Sequence, residues 1–138
     1  MITLIVGRKG SGKTKKLIER ANEAVESSNG NVVVIEKGLK LTYDISHQAR
    51  LVDIDAYGIQ GPEALAGFIS GICAGNYDVT DIFVDSTLKI IGQDLKALKV
   101  FTEKMNALSA LADTKITLLV SADSNELPEE IGSFAAQV

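Results

Sequence analysis

Gly7-Arg8-Lys9-Gly10-Ser11-Gly12-Lys13-Thr14 decides how the chain is read. It follows the pattern G-x-x-x-x-G-K-[ST] of a phosphate-binding loop. By ordinary composition a chance match in a chain this long is on the order of 1 in 100 or rarer. Met1 to Val6, just before it, is apolar and β-branched, as in a buried parallel strand. Lys15 to Val25, just after it, carries Leu17, Ala21, Ala24 and Val25 at helical spacing. Strand, loop and helix therefore come in the order that such a loop requires.

The residue types account for the chemistry. Glycines let consecutive backbone N–H groups turn toward an anion without a Cβ in the way. The helix that follows aims its positive end at the same point. Lys13 is expected at the β- and γ-phosphates, and the Thr14 hydroxyl on Mg²⁺. The expected nucleotide contacts are Gly7, Arg8, Lys9, Gly10, Ser11, Gly12, Lys13, Thr14 and Lys15. Arg8 and Lys9, taken singly, also fit solvated loop positions.

Composition bounds the rest. The chain has 138 residues, 46% apolar and 23% charged, with two prolines, which implies one globular domain, 1–138. Its net charge of −4 and lack of a long basic run give no case for a dedicated nucleic-acid binder. A single cysteine, Cys73, excludes a disulfide or a cysteine zinc site within one chain. No apolar run approaches membrane-spanning length. Met1 to Val6 is too short for a signal peptide, so the cytoplasm is the expected compartment.

Further along, Ser28 to Asn31 is a turn, and Val32 to Ile35 is a second buried strand closed by Glu36. Leu39, Leu41, Tyr43 and Ile45 alternate with polar residues, and Leu51 to Ile54 is apolar, which suggests an antiparallel ribbon or sheet-edge extension over 39–54. Gly61-Pro62-Glu63 opens a helix whose apolar face is Ala64, Leu65, Phe68, Ile69, Ile72 and Cys73. Gln93 to Ala112 reads as the longest helix, and Ile116 to Val120 as the last core strand. Leu127-Pro128-Glu129-Glu130 opens a terminal helix that packs through Ile131 and Phe134.

Between those helices lies Asp81-Ile82-Phe83-Val84-Asp85. A buried strand ending in Asp after such a loop is the Walker B pattern, in which Asp85 would hold Mg²⁺ opposite Thr14. Asp81 precedes the apolar run and reads as a solvated loop acid at the far edge of the sheet.

With these residues the chain resembles P-loop NTPases of the branch with an additional strand between the P-loop strand and the Walker B strand. The resemblance covers Met1 to about Ser121. It implies a three-layer α/β/α fold with a mainly parallel sheet, in which the P-loop strand is followed by Ile116–Val120, then Ile82–Val84, then Val32–Ile35. It also places Ser121, at the end of its strand, near the γ-phosphate. Within the branch, Val84-Asp85-Ser86 is similar to RecA-type recombinases and circadian-clock ATPases, whose water-activating Glu ends the strand after the P-loop helix. Here that place holds Glu36, 23 positions after Lys13. Glu36 is thus either the water-activating base or a residue that merely ends a strand. The resemblance assigns catalytic roles to Lys13, Glu36 and Asp85, metal ligation to Thr14 and Asp85, and ATP and Mg²⁺ as cofactors.

A thinner resemblance joins Ile45-Ser46-His47 to thymidine kinases, without their Asp-Glu pair or zinc ribbon. His47 reads as a turn residue and Arg50 as a surface or sheet-edge residue. The implied function is Mg-ATP binding with slow hydrolysis, as a switch or as a subunit of a larger assembly. Its partners would be a nucleoside triphosphate and either another protein or further copies of the chain. The alternatives are a small-molecule, nucleoside-type kinase and a nucleotide-gated binding module without turnover.

Overall fold

A computed structural model describes residues 2–138. In chain order the elements are β1 (Ile2–Gly7), α1 (Lys13–Ser27), β2 (Asn31–Glu36), β3 (Arg50–Asp53), α2 (Pro62–Gly75), β4 (Val79–Val84), α3 (Thr87–Ile91), α4 (Leu95–Ala112), β5 (Lys115–Ser121) and β6 (Ala135–Gln137). They form an α/β fold around one six-stranded sheet of order β3-β2-β4-β5-β1-β6, in which every pairing is parallel. The inner order β1, β5, β4, β2 is the one expected.

Strand alternation sorts the side chains into two cores. On one face Ile2, Leu4, Val33, Ile35, Ile82, Val84, Ile116 and Leu118 pack with α2, α3 and α4. On the other, Ile5, Val32, Val34, Phe83 and Leu119 pack with Leu17 and Ala21 of α1. Helices therefore cover both faces, as a buried parallel sheet requires. Pro62 occupies the first turn of α2, where its missing N–H costs nothing. Leu65, Ile69 and Cys73 bury the α2 stripe, whereas Ala64 is exposed.

Three expectations are corrected. Residues 39–49 form no strand, and no antiparallel ribbon exists at 39–54: Arg50–Asp53 pairs parallel to β2. Leu41, Ile45 and Ala49 are buried against α1, while Leu39 and Tyr43 are exposed, so the segment is a series of turns. Burial of Leu41 and Ile45, worth about 1.5–3 kcal/mol each, holds it down. Asn22 of α1 clamps the same segment, donating to the Asp44 carbonyl at 2.9 Å and accepting from the Ser46 amide at 2.8 Å. The helix expected from Gln93 is α4, which begins at Leu95, and a short helix that was not expected, α3, precedes it across Gly92 at φ 102°. The C-terminal stretch forms a short 3-10 turn over Glu129–Ser133 and then a further strand, β6, beside β1. Ile131 is buried in that turn, and Phe134 packs against the core. Asp81 is no solvated loop acid: it lies within β4 and is 7% exposed.

Candidate nucleotide site

The carboxyl ends of the strands bring the expected residues to one edge. Gly7, which ends β1, is in register with Ser121, which ends β5. Asp85 follows β4, and its amide donates to the Ile35 carbonyl at 2.8 Å, next to Glu36 at the end of β2. Across the edge the order is Glu36, Asp85, Ser121, Gly7. The period-two alternation sets Glu36, Asp85 and Ser121 on the face that carries α1.

The loop between β1 and α1 is shaped by its glycines. Gly10 and Gly12 have φ of 84° and 86°, a left-handed backbone that side-chain-bearing residues rarely adopt. A Cβ on Gly7 would lie 2.4 Å from Ser11 Oγ, so a side chain here would have to displace the Ser11 hydroxyl. The Ser11 amide donates to the Arg8 carbonyl at 3.1 Å, and the Lys16 amide begins the helix by donating to Gly12 at 3.2 Å. Lys13 folds back over the loop, and its Nζ donates to the Arg8 carbonyl at 2.8 Å. Thr14 and Lys15, by contrast, are exposed, as are Lys9 and Ser121. Burial lowers the Lys13 pKa, and the negative charge of Asp85 acts against that shift.

Asp85 is buried, and its Oδ2 accepts from Ser86 Oγ at 3.1 Å. Ser86 itself has φ 56° and ψ 42°, a strained setting for a residue with a Cβ. An Asp carboxylate and a Thr hydroxyl are the hard oxygen donors that suit Mg²⁺. The residues present at Thr14 and Asp85 fit that ion by donor chemistry.

Glu36 is fully buried. Its Oε1 accepts from the amides of Lys40 at 2.7 Å and Leu41 at 3.2 Å. Burial raises its pKa; the two amides work against the shift, and Asp85 and Asp53 add to it. Glu36 thus does more than end a strand: it organises the turn that leaves β2. That turn gains further support from Gly38, at φ 88°, whose amide donates to Asp53 Oδ1 at 2.9 Å.

Arg8 points away from the loop interior. Its Nε donates to Asp123 Oδ2 at 2.6 Å, and its Nη2 forms an ion pair with the same oxygen. Asp123, the Lys40–Leu41 amides and the strained Ser86 were not foreseen as parts of this edge. Asp123 lies two residues beyond Ser121, and only the β1–β5 register reveals its nearness to Arg8. His47 lies in an exposed turn, and Arg50 is exposed at the start of the sheet-edge strand, as expected.

Among the described residues no helix is long and apolar enough to cross a membrane. No protein-family model matches the chain, and no curated protein matches it.

Proposed function

We propose that the chain is a P-loop protein of three-layer α/β/α architecture that binds Mg-ATP and hydrolyses it slowly, as a switch or an assembly subunit. The observation that carries this reading is the convergence of Lys13, Asp85 and Glu36 at one sheet edge, with Thr14 next to Lys13 at the start of α1. The loop amides from Gly10 to Thr14 and the N-terminus of α1 suit the phosphates. Lys13, held by a loop carbonyl, can exchange that bond for a charge-assisted one to a phosphate oxygen. Bound Mg²⁺ would neutralise phosphate charge, with Thr14 and Asp85 as its protein ligands, Asp85 directly or through water. Ser121 would face the γ-phosphate from the end of β5.

A second reading is a nucleotide-gated binding module without turnover. The full burial of Glu36 under the Lys40–Leu41 turn favours it, since a carboxylate closed off from solvent cannot orient a water until that turn opens. Calorimetric titration of ATP with and without Mg²⁺, followed by a phosphate-release assay, tests both. Mg-dependent binding with phosphate release supports the hydrolase, and binding without release supports the module. No binding at all would overturn both readings.

A further inference from the structure

Two hydroxyls open α3, and neither caps it. Ser86 stands just before the helix and Thr87 in its first turn. A serine in that place ordinarily has extended backbone and accepts from an amide of the first turn. Asp94 does this at the start of α4: at φ −75° and ψ 112° it accepts from the Lys96 amide at 2.9 Å. Ser86 departs on both counts. Its backbone is left-handed, at φ 56° and ψ 42°, and its side chain makes no capping bond. Its carbonyl alone starts the helix, accepting from the amides of Lys89 at 3.0 Å and Ile90 at 3.3 Å. Thr87 is fully buried, and its hydroxyl has no partner among the described residues. A Cβ in left-handed backbone, a forgone cap and an unpartnered buried hydroxyl each disfavour the fold.

The one side-chain bond gained runs backwards. The Ser86 hydroxyl donates to Asp85 Oδ2 at 3.1 Å. The Asp85 amide is tied on the other side, to the Ile35 carbonyl at 2.8 Å. Asp85 is therefore pinned through its backbone by β2 and through one carboxylate oxygen by Ser86. Its other oxygen, Oδ1, accepts no hydrogen bond among the described residues, and although the residue is buried this atom is not sealed from solvent. One oxygen is held and the other is reachable. Strain kept in such a place points to a function rather than to packing. A hydrogen bond to a carboxylate ligand orients it and strengthens its hold on a metal.

We propose that Ser86 is a positioning residue: its hydroxyl fixes Asp85 Oδ2 and so presents Oδ1 to Mg²⁺. The role rests on the nucleotide reading above, and Ser86 acts through Asp85.

The test separates the hydroxyl from the backbone. Ser86→Ala and Ser86→Gly both remove the hydroxyl, but only glycine suits φ 56°. The alanine protein should therefore melt lower than the glycine protein. Calorimetric titration of ATP with Mg²⁺ and with a chelator gives the gain in affinity due to the metal. In both variants that gain should fall about tenfold or more, the usual size for a partner of a metal ligand, while the metal-free affinity stays. A second readout needs no ligand. The Hα–Hβ couplings of Asp85 should show one χ1 rotamer in the wild type and averaging in both variants. Thr87→Val is the control: loss of an unpartnered hydroxyl should neither lower the melting temperature nor change the gain from Mg²⁺. A wild-type gain in Ser86→Gly would overturn the role, since relaxed backbone would then suffice. So would a single Asp85 rotamer in both variants, or an equal loss of the gain in Thr87→Val. No ATP binding by the wild type would instead overturn the nucleotide reading, and the presentation of Oδ1 to a metal with it.

Discussion

Asp85 donates its backbone amide to the carbonyl of Ile35 at 2.8 Å, which sets its side chain beside that of Glu36 on one face of the sheet. The charge of Asp85 is one of the causes that raise the Glu36 pKa, after burial. Asp85→Asn should therefore let Glu36 titrate at lower pH than in the wild type, measurable by carboxyl-carbon NMR. If Asp85 also holds the metal, this variant loses turnover and keeps part of its nucleotide affinity. An unmoved Glu36 titration would mean that the two carboxylates do not face each other. A Mg-ATP-analogue complex with Asp85 far from the metal and its bound waters would remove the Walker B role.

Lys13 is the residue on which phosphate binding turns. Among the described residues its Nζ has one partner, the Arg8 carbonyl. Lys13→Ala leaves that carbonyl at an exposed loop residue, where water replaces the lost bond, so the fold should persist. The variant should bind ATP at least roughly tenfold more weakly, as expected for one charge-assisted bond. Thr14→Ala should make the affinity less dependent on Mg²⁺. Calorimetry on both variants checks this, and wild-type, Mg-dependent affinity in Lys13→Ala would end the nucleotide reading.

A stability prediction stands apart from any ligand. A Cβ on Gly30 would lie 2.0 Å from the Asp78 carbonyl oxygen, which is backbone and cannot swing aside. That carbonyl also accepts from the Asn31 amide at 2.7 Å, at the entrance to β2. Gly30→Ala should cost about 1–3 kcal/mol, the usual penalty for overpacking. Urea unfolding would read it as a lower midpoint at unchanged slope. An unchanged midpoint would show that the β2 entrance yields freely.

Much of the fold was legible because its signals are local. β-branched runs mark β1, β2, β4 and β5, and the glycine pattern marks the loop. The order β1, β5, β4, β2 came instead from the family resemblance. Residues 39–45 misled because Leu39, Leu41, Tyr43 and Ile45 mimic period two. Only Leu41 and Ile45 are buried, and Glu36 supplies to Lys40 and Leu41 the acceptor that a strand ladder would have given. β6 was illegible for another reason. Ala135–Gln137 has little strand propensity of its own. Tertiary pairing forms it: the Val138 amide donates to Leu4 at 2.9 Å, and the Val6 amide donates to Val138 at 3.2 Å. At the site, Lys13, Thr14 and Asp85 could be picked from motif spacing alone. The Arg8–Asp123 contact could not, since it joins residues 115 positions apart.

Glu36 yields the prediction that separates its two roles. As an acceptor it supports two amides, and the Leu41 bond is buried. Glu36→Ala leaves those amides without an acceptor and should cost about 1–3 kcal/mol. Glu36→Gln keeps an acceptor oxygen and should unfold at a midpoint closer to that of the wild type. The pH dependence follows from the raised pKa. A carboxyl that binds its proton more tightly when folded stabilises the fold below its ordinary value of 4.5, and that contribution is lost as pH rises through the raised value. Wild-type stability relative to Glu36→Gln should therefore fall as pH rises above about 4.5. As a general base, Glu36 must first become reachable by water, because its carboxylate is fully buried. Glu36→Gln should then keep Mg-ATP affinity and lower phosphate release by roughly 10²-fold. A pH-dependent stability difference with equal turnover in the two proteins would make Glu36 an anchor for the turn alone. The non-hydrolysing module, or a base supplied by a partner, would then be the better reading.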